Sequence, residues 1–178
     1  MSTLLKNIIR FAFFILVQVF VLDKVPPLHQ MVTPYIYFLF ILWLPFRLNR
    51  TWLMLIAFAL GYTMDSFRHN YGFHTAACIL IAYLRPFLVS LLIPQEGADA
   101  NYEEPSIKSM GGTIPYFVYT GVLTLIHHGW LFFLEAWQFG NAWYFLGKTT
   151  LSTAISLLLI IITELLFVRK QKFKTNTI

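Results

Sequence analysis

Six stretches of this sequence are almost free of charge: Ile8 to Leu22, Tyr35 to Phe46, Trp52 to Met64, Phe73 to Ile93, Pro115 to Leu134, and Trp143 to Val168. A helix rising 1.5 Å per residue needs about 20 apolar residues to cross a hydrocarbon core of about 30 Å. The first, fourth, fifth and sixth stretches reach that length if their ends extend a little. The second and third are short, and Arg47 and Arg50 stand between them. A re-entrant hairpin would strand both guanidinium groups in hydrocarbon, at a cost of several kcal/mol. Two short crossing helices with their tip in water cost less, because bilayer thinning or snorkelling absorbs the mismatch. The expected fold is therefore an all-α integral membrane protein. It is one domain over residues 1–178 with six transmembrane helices, at about 8–22, 35–46, 52–64, 73–93, 115–134 and 143–168.

Composition supports this reading. With 58% hydrophobic and 12% charged residues, a soluble chain of this size would have too little interior to hide its apolar surface. The net charge of +5 does not gather on one soluble face but punctuates the apolar runs, so it sets topology and gives no nucleic-acid surface. Lys6 and Arg10 ahead of an apolar run resemble the start of a signal peptide. Val21-Leu22-Asp23-Lys24-Val25, however, offers no small-residue cleavage site, so the run is expected to remain as a first helix. With the N-terminus inside, the cytoplasmic side holds Lys6, Arg10, Arg47, Arg50, Lys108, Arg169, Lys170, Lys172 and Lys174. The outer side holds Lys24, Arg68 and Lys148. This bias places both termini in the cytoplasm. Trp43 and Trp52 are expected at the inner interface, and Trp137 and Trp143 at the outer one. The hydrophilic stretch 94–114 becomes a cytoplasmic loop carrying Glu96, Asp99, Glu103 and Glu104. It is either a solvated linker or a face for a basic partner.

Ionisable residues inside a membrane are functional candidates by default. Arg85 falls deep in the fourth helix, directly before Pro86, which should free a carbonyl and kink the helix. Glu164 lies at comparable depth in the sixth, so the two could pair, structurally or around a ligand. Alternatively, Arg85 could snorkel. Gly61 and Asp65 share a helix face four residues apart. The glycine admits a neighbouring backbone beside the carboxylate, and Arg68 is near enough in sequence to neutralise it. A solvated helix end is the plainer account. His127 and His128 are adjacent and so point to different faces. They lack the three- or four-residue spacing of helical metal sites and are expected to bond across helices. Glu135 lies seven residues from His128 and is roughly aligned with it. Gln18 should bond a neighbouring helix, and Gly61, Gly121, Gly129 and Gln18 are candidate contact points for a docked partner. Cys78 stands alone, so no intrachain disulfide is possible. No nucleophile elbow, phosphate-binding loop, Cys-x-x-Cys or close carboxylate pair is present. Neither enzymatic chemistry nor a cofactor or metal is expected.

Taken together, Gly61-Tyr62-Thr63-Met64-Asp65 followed by Gly72, Tyr83-Leu84-Arg85-Pro86, Leu92-Ile93-Pro94-Gln95-Glu96-Gly97 and Leu125-Ile126-His127-His128 resemble the MreD family. These are the small membrane components of the bacterial rod-shape machinery. The likeness runs from about Leu4 to Val168. It implies a fold similar to the substrate-binding S components of energy-coupling-factor vitamin transporters and a place in the bacterial inner membrane. It further implies a non-enzymatic scaffold in cell-wall elongation. The implied partners are an MreC-like protein, RodA with its transpeptidase, and MreB indirectly, besides membrane lipid. A small-molecule-binding subunit with an outward pocket, lined by aromatics and by Asp65, His74 or His128, is the alternative the same fold allows.

Overall fold

The computed structural model describes residues 3–26, 31–70, 72–93, 103–136 and 142–166. Among these the chain forms helices and no strand: α1 (Thr3–Phe20), α2 (Leu39–Leu42), α3 (Arg50–Arg68), α4 (Phe73–Leu92), α5 (Thr113–Ala136) and α6 (Ala142–Leu166). Four stretches are long and apolar enough to cross a membrane: Leu4–Lys24, Phe73–Leu92, Thr113–Glu135 and Ala142–Leu166. The protein is thus a helical membrane protein. Its α3 is longer than the expected 52–64 because the helix takes in Arg50 at one end and Asp65 and Arg68 at the other. α4 runs unbroken through Pro86.

The burial pattern is that of a protein dissolved in lipid. Large apolar side chains such as Leu5, Ile9, Phe13, Leu16 and Phe20 on α1, and Leu158, Ile162 and Leu165 on α6, face outward. Gln18, Asp65, His74, Arg85, His127, His128, Ser152 and Ser156 face inward. A surface this greasy suits hydrocarbon, and an interior this polar is possible only where its groups find partners.

The second apolar segment departs from expectation. It is not a helix over 35–46: only Leu39–Leu42 is helical. Residues 32–36 form neither helix nor strand. Every residue from Tyr35 to Leu44 is at most 7% exposed, so the segment has no lipid-facing side and fills the middle of the bundle. Non-helical backbone is tolerated at membrane depth only when protein satisfies its polar groups, and here side chains do so. The Thr33 and Tyr35 amides donate to Ser152 Oγ at 2.9 Å and Ser156 Oγ at 3.0 Å. The Ile36 amide donates to Gln18 Oε1 at 2.9 Å, and Gln18 Nε2 donates back to the Pro34 carbonyl at 3.2 Å. The spacing fits: two extended residues cover about 6.6 Å and four helical ones about 6 Å. Alternate amides of the segment therefore meet serines one turn apart. Lower down, Tyr119 Oη donates to the Leu42 carbonyl at 2.9 Å and Arg85 to the Leu44 carbonyl. Trp43 Nε1 donates to Glu164 at 3.0 Å. Between its contacts with Ser152 and Glu164 the segment travels alongside α6 for about 18 Å, twelve residues at 1.5 Å each.

Ion pairs identify the two ends of the bundle. At one, Lys6 and Arg10 of α1 hold Glu104 at 2.8 and 2.9 Å, and the Phe46 amide donates to the Glu103 carbonyl at 3.0 Å. At the other, Arg68 of α3 pairs with Asp23 at 2.9 Å. Glu164 of α6 accepts from Tyr116 near the start of α5, so Thr3 and Leu166 lie at the same end. The described part of the acidic loop is thus partly neutralised by the chain's own cations, because Glu104 is occupied by Lys6 and Arg10. Its residues 94–102 lie outside the described residues.

Burial opposes ionisation of Glu104, yet the hydrogen bonds and charges of Lys6 and Arg10 outweigh it and hold the carboxyl below its ordinary value of 4.5. A depressed carboxylate stabilises the fold above its unfolded value, and that contribution disappears as pH falls through the folded value. The clasp between α1 and residues 103–112 is therefore expected to be complete at neutral pH and to open on acidification below 4.5. The protection factor of amides along the first turns of α1, corrected for the intrinsic fall of exchange with pH, should drop on acidification, and Glu104→Gln should show the lowered protection at all pH values. A protection factor independent of pH in the unsubstituted protein would exclude the clasp.

Candidate functional site

The inward polar groups form three clusters stacked along the central segment. At the far end, the Arg68 guanidinium grips Asp23 through two bonds of 2.9 Å and donates to Tyr35 Oη at 2.5 Å. Gln18 Nε2 donates to the same carboxylate at 2.9 Å. This cluster borders a cavity of about 270 Å³ lined by Asp23, Val32, Thr33, Pro34, Arg68 and Ile155, among others. Arg68 therefore does not neutralise Asp65, as its sequence position suggested.

Asp65 instead reaches across to α4. Its carboxylate accepts from the His74 amide at 3.0 Å, the Thr75 amide at 2.8 Å and Thr75 Oγ1 at 2.6 Å. The residue before α4 is Gly72, held at φ +91°, a conformation that favours glycine and leaves no side chain to cap the helix. Asp65 supplies the missing cap from another helix, bonding the second and third amides as a local cap would. It is buried and is not a solvated helix end. Gly61, one turn earlier, lets α4 come this close: a Cβ there would stand 2.4 Å from Thr75 Cα and 2.8 Å from the His74 carbonyl oxygen. Gly121 and Gly129 have no such approach. Nothing lies within 4 Å of a Cβ at Gly121, and only the Thr149 methyl, at 3.9 Å, near one at Gly129.

In the middle cluster, Tyr37 Oη meets His74 Nδ1 at 2.7 Å and His127 Nε2 at 2.8 Å. Phe38 stacks on the His127 ring at 4.3 Å between centroids. His128 turns away from these, to the Thr124 carbonyl at 2.9 Å and Ser156 Oγ at 3.0 Å. Glu135 does not join His128; it pairs with Lys148 at 2.6 Å. The third cluster separates two residues expected to meet. Arg85 bonds Tyr119 Oη at 2.9 Å and the Leu44 carbonyl, whereas Glu164 accepts from Trp43 and Tyr116. Arg85 is buried rather than snorkelling, and Trp43 is buried rather than interfacial. Trp52 and Trp143 are exposed, and Trp137 lies outside the described residues.

Sequence reasoning thus named Gln18, Gly61, Asp65, Arg85, His127, His128 and Glu164, but not what most of them hold. It passed over Tyr35, Tyr37, Asp23, Ser152 and Ser156. One signal could have found the serines: Thr149, Ser152, Thr153, Ser156 and Thr163, spaced by three, one, three and seven residues, are buried along α6, a polar stripe on a largely apolar helix. Among the described residues no three His, Cys, Asp or Glu side chains are grouped as metal ligands. Comparison with protein-family models, with curated proteins and with solved structures finds no match to this chain.

Proposed function

We propose that the chain is a non-enzymatic scaffold of the MreD type in the bacterial inner membrane. It docks an MreC-like single-span protein and, with it, RodA and its transpeptidase, with MreB engaged indirectly. The observation that carries this reading is the use of the buried polar side chains. Gln18, Arg85, Tyr119, Ser152 and Ser156 hold backbone groups of residues 33–44, and Asp65 holds the start of α4. These groups build a rigid body with an apolar outer surface, which suits docking by helix packing in lipid. On this reading the chain crosses six times, the second crossing being the largely non-helical segment 31–44, with both termini cytoplasmic as the positive charges favour. Depletion in a rod-shaped host should round the cells, and the tagged protein should copurify with an MreC-like partner in mild detergent. Normal rods together with no copurification would refute the reading.

The far-end cavity favours a second reading, a small-molecule-binding membrane subunit with an outward site. The residues lining it differ from the Asp65, His74 or His128 expected from sequence: its ionic wall is Asp23 and Arg68. A small molecule released on denaturing the purified protein, and lost in Asp23→Asn, would favour this reading over the scaffold.

A further inference from the structure

The middle cluster has a property that neither reading of function uses. Tyr37, His74 and His127 are fully buried, and Tyr37 Oη lies within hydrogen-bond distance of one nitrogen of each ring. A phenol has a single proton to donate, and a neutral imidazole has one N–H and one lone pair. Its oxygen could accept from both rings only if its own proton turned to the Cys78 sulfur, a weak acceptor 3.9 Å away; donating to one ring and accepting from the other makes two strong bonds. Because it meets Nδ1 of His74 but Nε2 of His127, two arrangements do this. In the first, both rings carry their proton on Nδ1: His74 donates to Tyr37, and Tyr37 donates to His127. In the second, both carry it on Nε2 and the chain of donors runs backwards. The outer nitrogens, His74 Nε2 and His127 Nδ1, are buried and meet no hydrogen-bonding partner among the described residues. In either arrangement one of them is a free N–H, and the other a free lone pair. His128 has no such freedom. Its Nδ1 faces the Thr124 carbonyl, which only accepts, so Nδ1 keeps the proton and Ser156 donates to Nε2 while accepting the Tyr35 amide.

We propose that His74, Tyr37 and His127 form a buried proton relay, which takes a proton from water at one free ring nitrogen and gives one to water at the other. Starting from the Nδ1 form, a hydrated proton bonds to His74 Nε2. The His74 Nδ1–H bond breaks and its proton passes to Tyr37 Oη, while the Tyr37 O–H bond breaks and its proton passes to His127 Nε2. The His127 Nδ1–H bond then releases its proton to a second water. One proton enters, one leaves, all three groups end neutral, and the pair of rings stands in the Nε2 form. The reverse sequence restores the start. Unpaired buried polar atoms in a native interior mark where ordered water is expected. Besides the two ring nitrogens, Thr124 Oγ1 on α5 and Thr149 and Thr153 Oγ1 on α6 are of this kind. No formal charge bonds to the three side chains. The Asp65 carboxylate is turned to the His74 and Thr75 amides, and Arg68 to Asp23 and Tyr35. The Cys78 thiol stands 3.9 Å from Tyr37 Oη.

Nitrogen-15 spectra of the full chain in lipid nanodiscs, with histidine labelled, test this directly. The rings of His74 and His127 should share one tautomer ratio, with both forms present near neutral pH and their exchange slowed in heavy water. His128 should stay protonated on Nδ1 throughout. Tyr37→Phe should destroy the coupling, so that the two ratios diverge. Opposite tautomers on His74 and His127, a doubly protonated ring, or a single form without exchange would each overturn the relay. All three can be seen in the unsubstituted protein.

Discussion

Gly61→Ala is expected to destabilise the protein by about 3 kcal/mol, the upper part of the range for overpacking a tight contact. The added methyl would stand 2.4 Å from Thr75 Cα and 2.8 Å from both Thr75 N and the His74 carbonyl oxygen. These are backbone atoms of the first turn of α4, so no side-chain rotation relieves the clash and the two helices must part. Gly121→Ala is the matched control, since nothing lies within 4 Å of the new methyl. There the gain in helix propensity, up to about 1 kcal/mol, should leave stability unchanged or slightly raised. Reversible unfolding of both variants in lipid, by denaturant or by steric trapping, measures the difference. Equal stabilities would mean that α3 and α4 are not in backbone contact.

Asp65→Ala is expected to cost about 4 kcal/mol, since two buried amides and a hydroxyl each lose their acceptor at about 1–3 kcal/mol apiece. An anion near the first turn of α4 also opposes the helix dipole favourably, and that too is lost. Asp65→Asn should recover less than half. Its single acceptor oxygen can serve one amide, while its NH2 group faces the donors that remain. Because Gly61 and Asp65 act on the same contact, the double variant should cost less than the two single costs added together. Hydrogen exchange at His74 and Thr75 is the local readout. Unchanged protection of these two amides in Asp65→Ala would remove Asp65 from its capping role.

Much of this was legible in the sequence, and the residues show why. The long runs that became α1, α4, α5 and α6 were plain because length and charge alone define a candidate span. The pairing of a small residue with a carboxylate at Gly61 and Asp65 pointed correctly to a close helix contact, because four residues on a helix share a face. Its partner was not legible, because the groups Asp65 holds are backbone amides, which every residue carries. The same limit hid the role of Gln18 and Arg85. Arg85 was expected to pair with Glu164 and Gln18 to bond a neighbouring helix; besides side-chain bonds to Tyr119 and Asp23, the two hold main chain of residues 34–44. The segment itself misled because an unbroken apolar run is read the same way whether it faces lipid or is wrapped by helices. Only the polar stripe on α6 marked where it would lie.

The wrapped segment also fixes an order of events during synthesis. Residues 33–44 leave the ribosome early, but apart from Gln18 the side chains that replace water around their backbone come later: Arg85, then Tyr119, then Ser152 and Ser156. Until α6 has been made, that stretch has no way to sit in hydrocarbon in its final shape, because two of its amides would be bare. The centre of this fold therefore matures only once α6 is in place. The helices inserted before it must leave a vacancy until then.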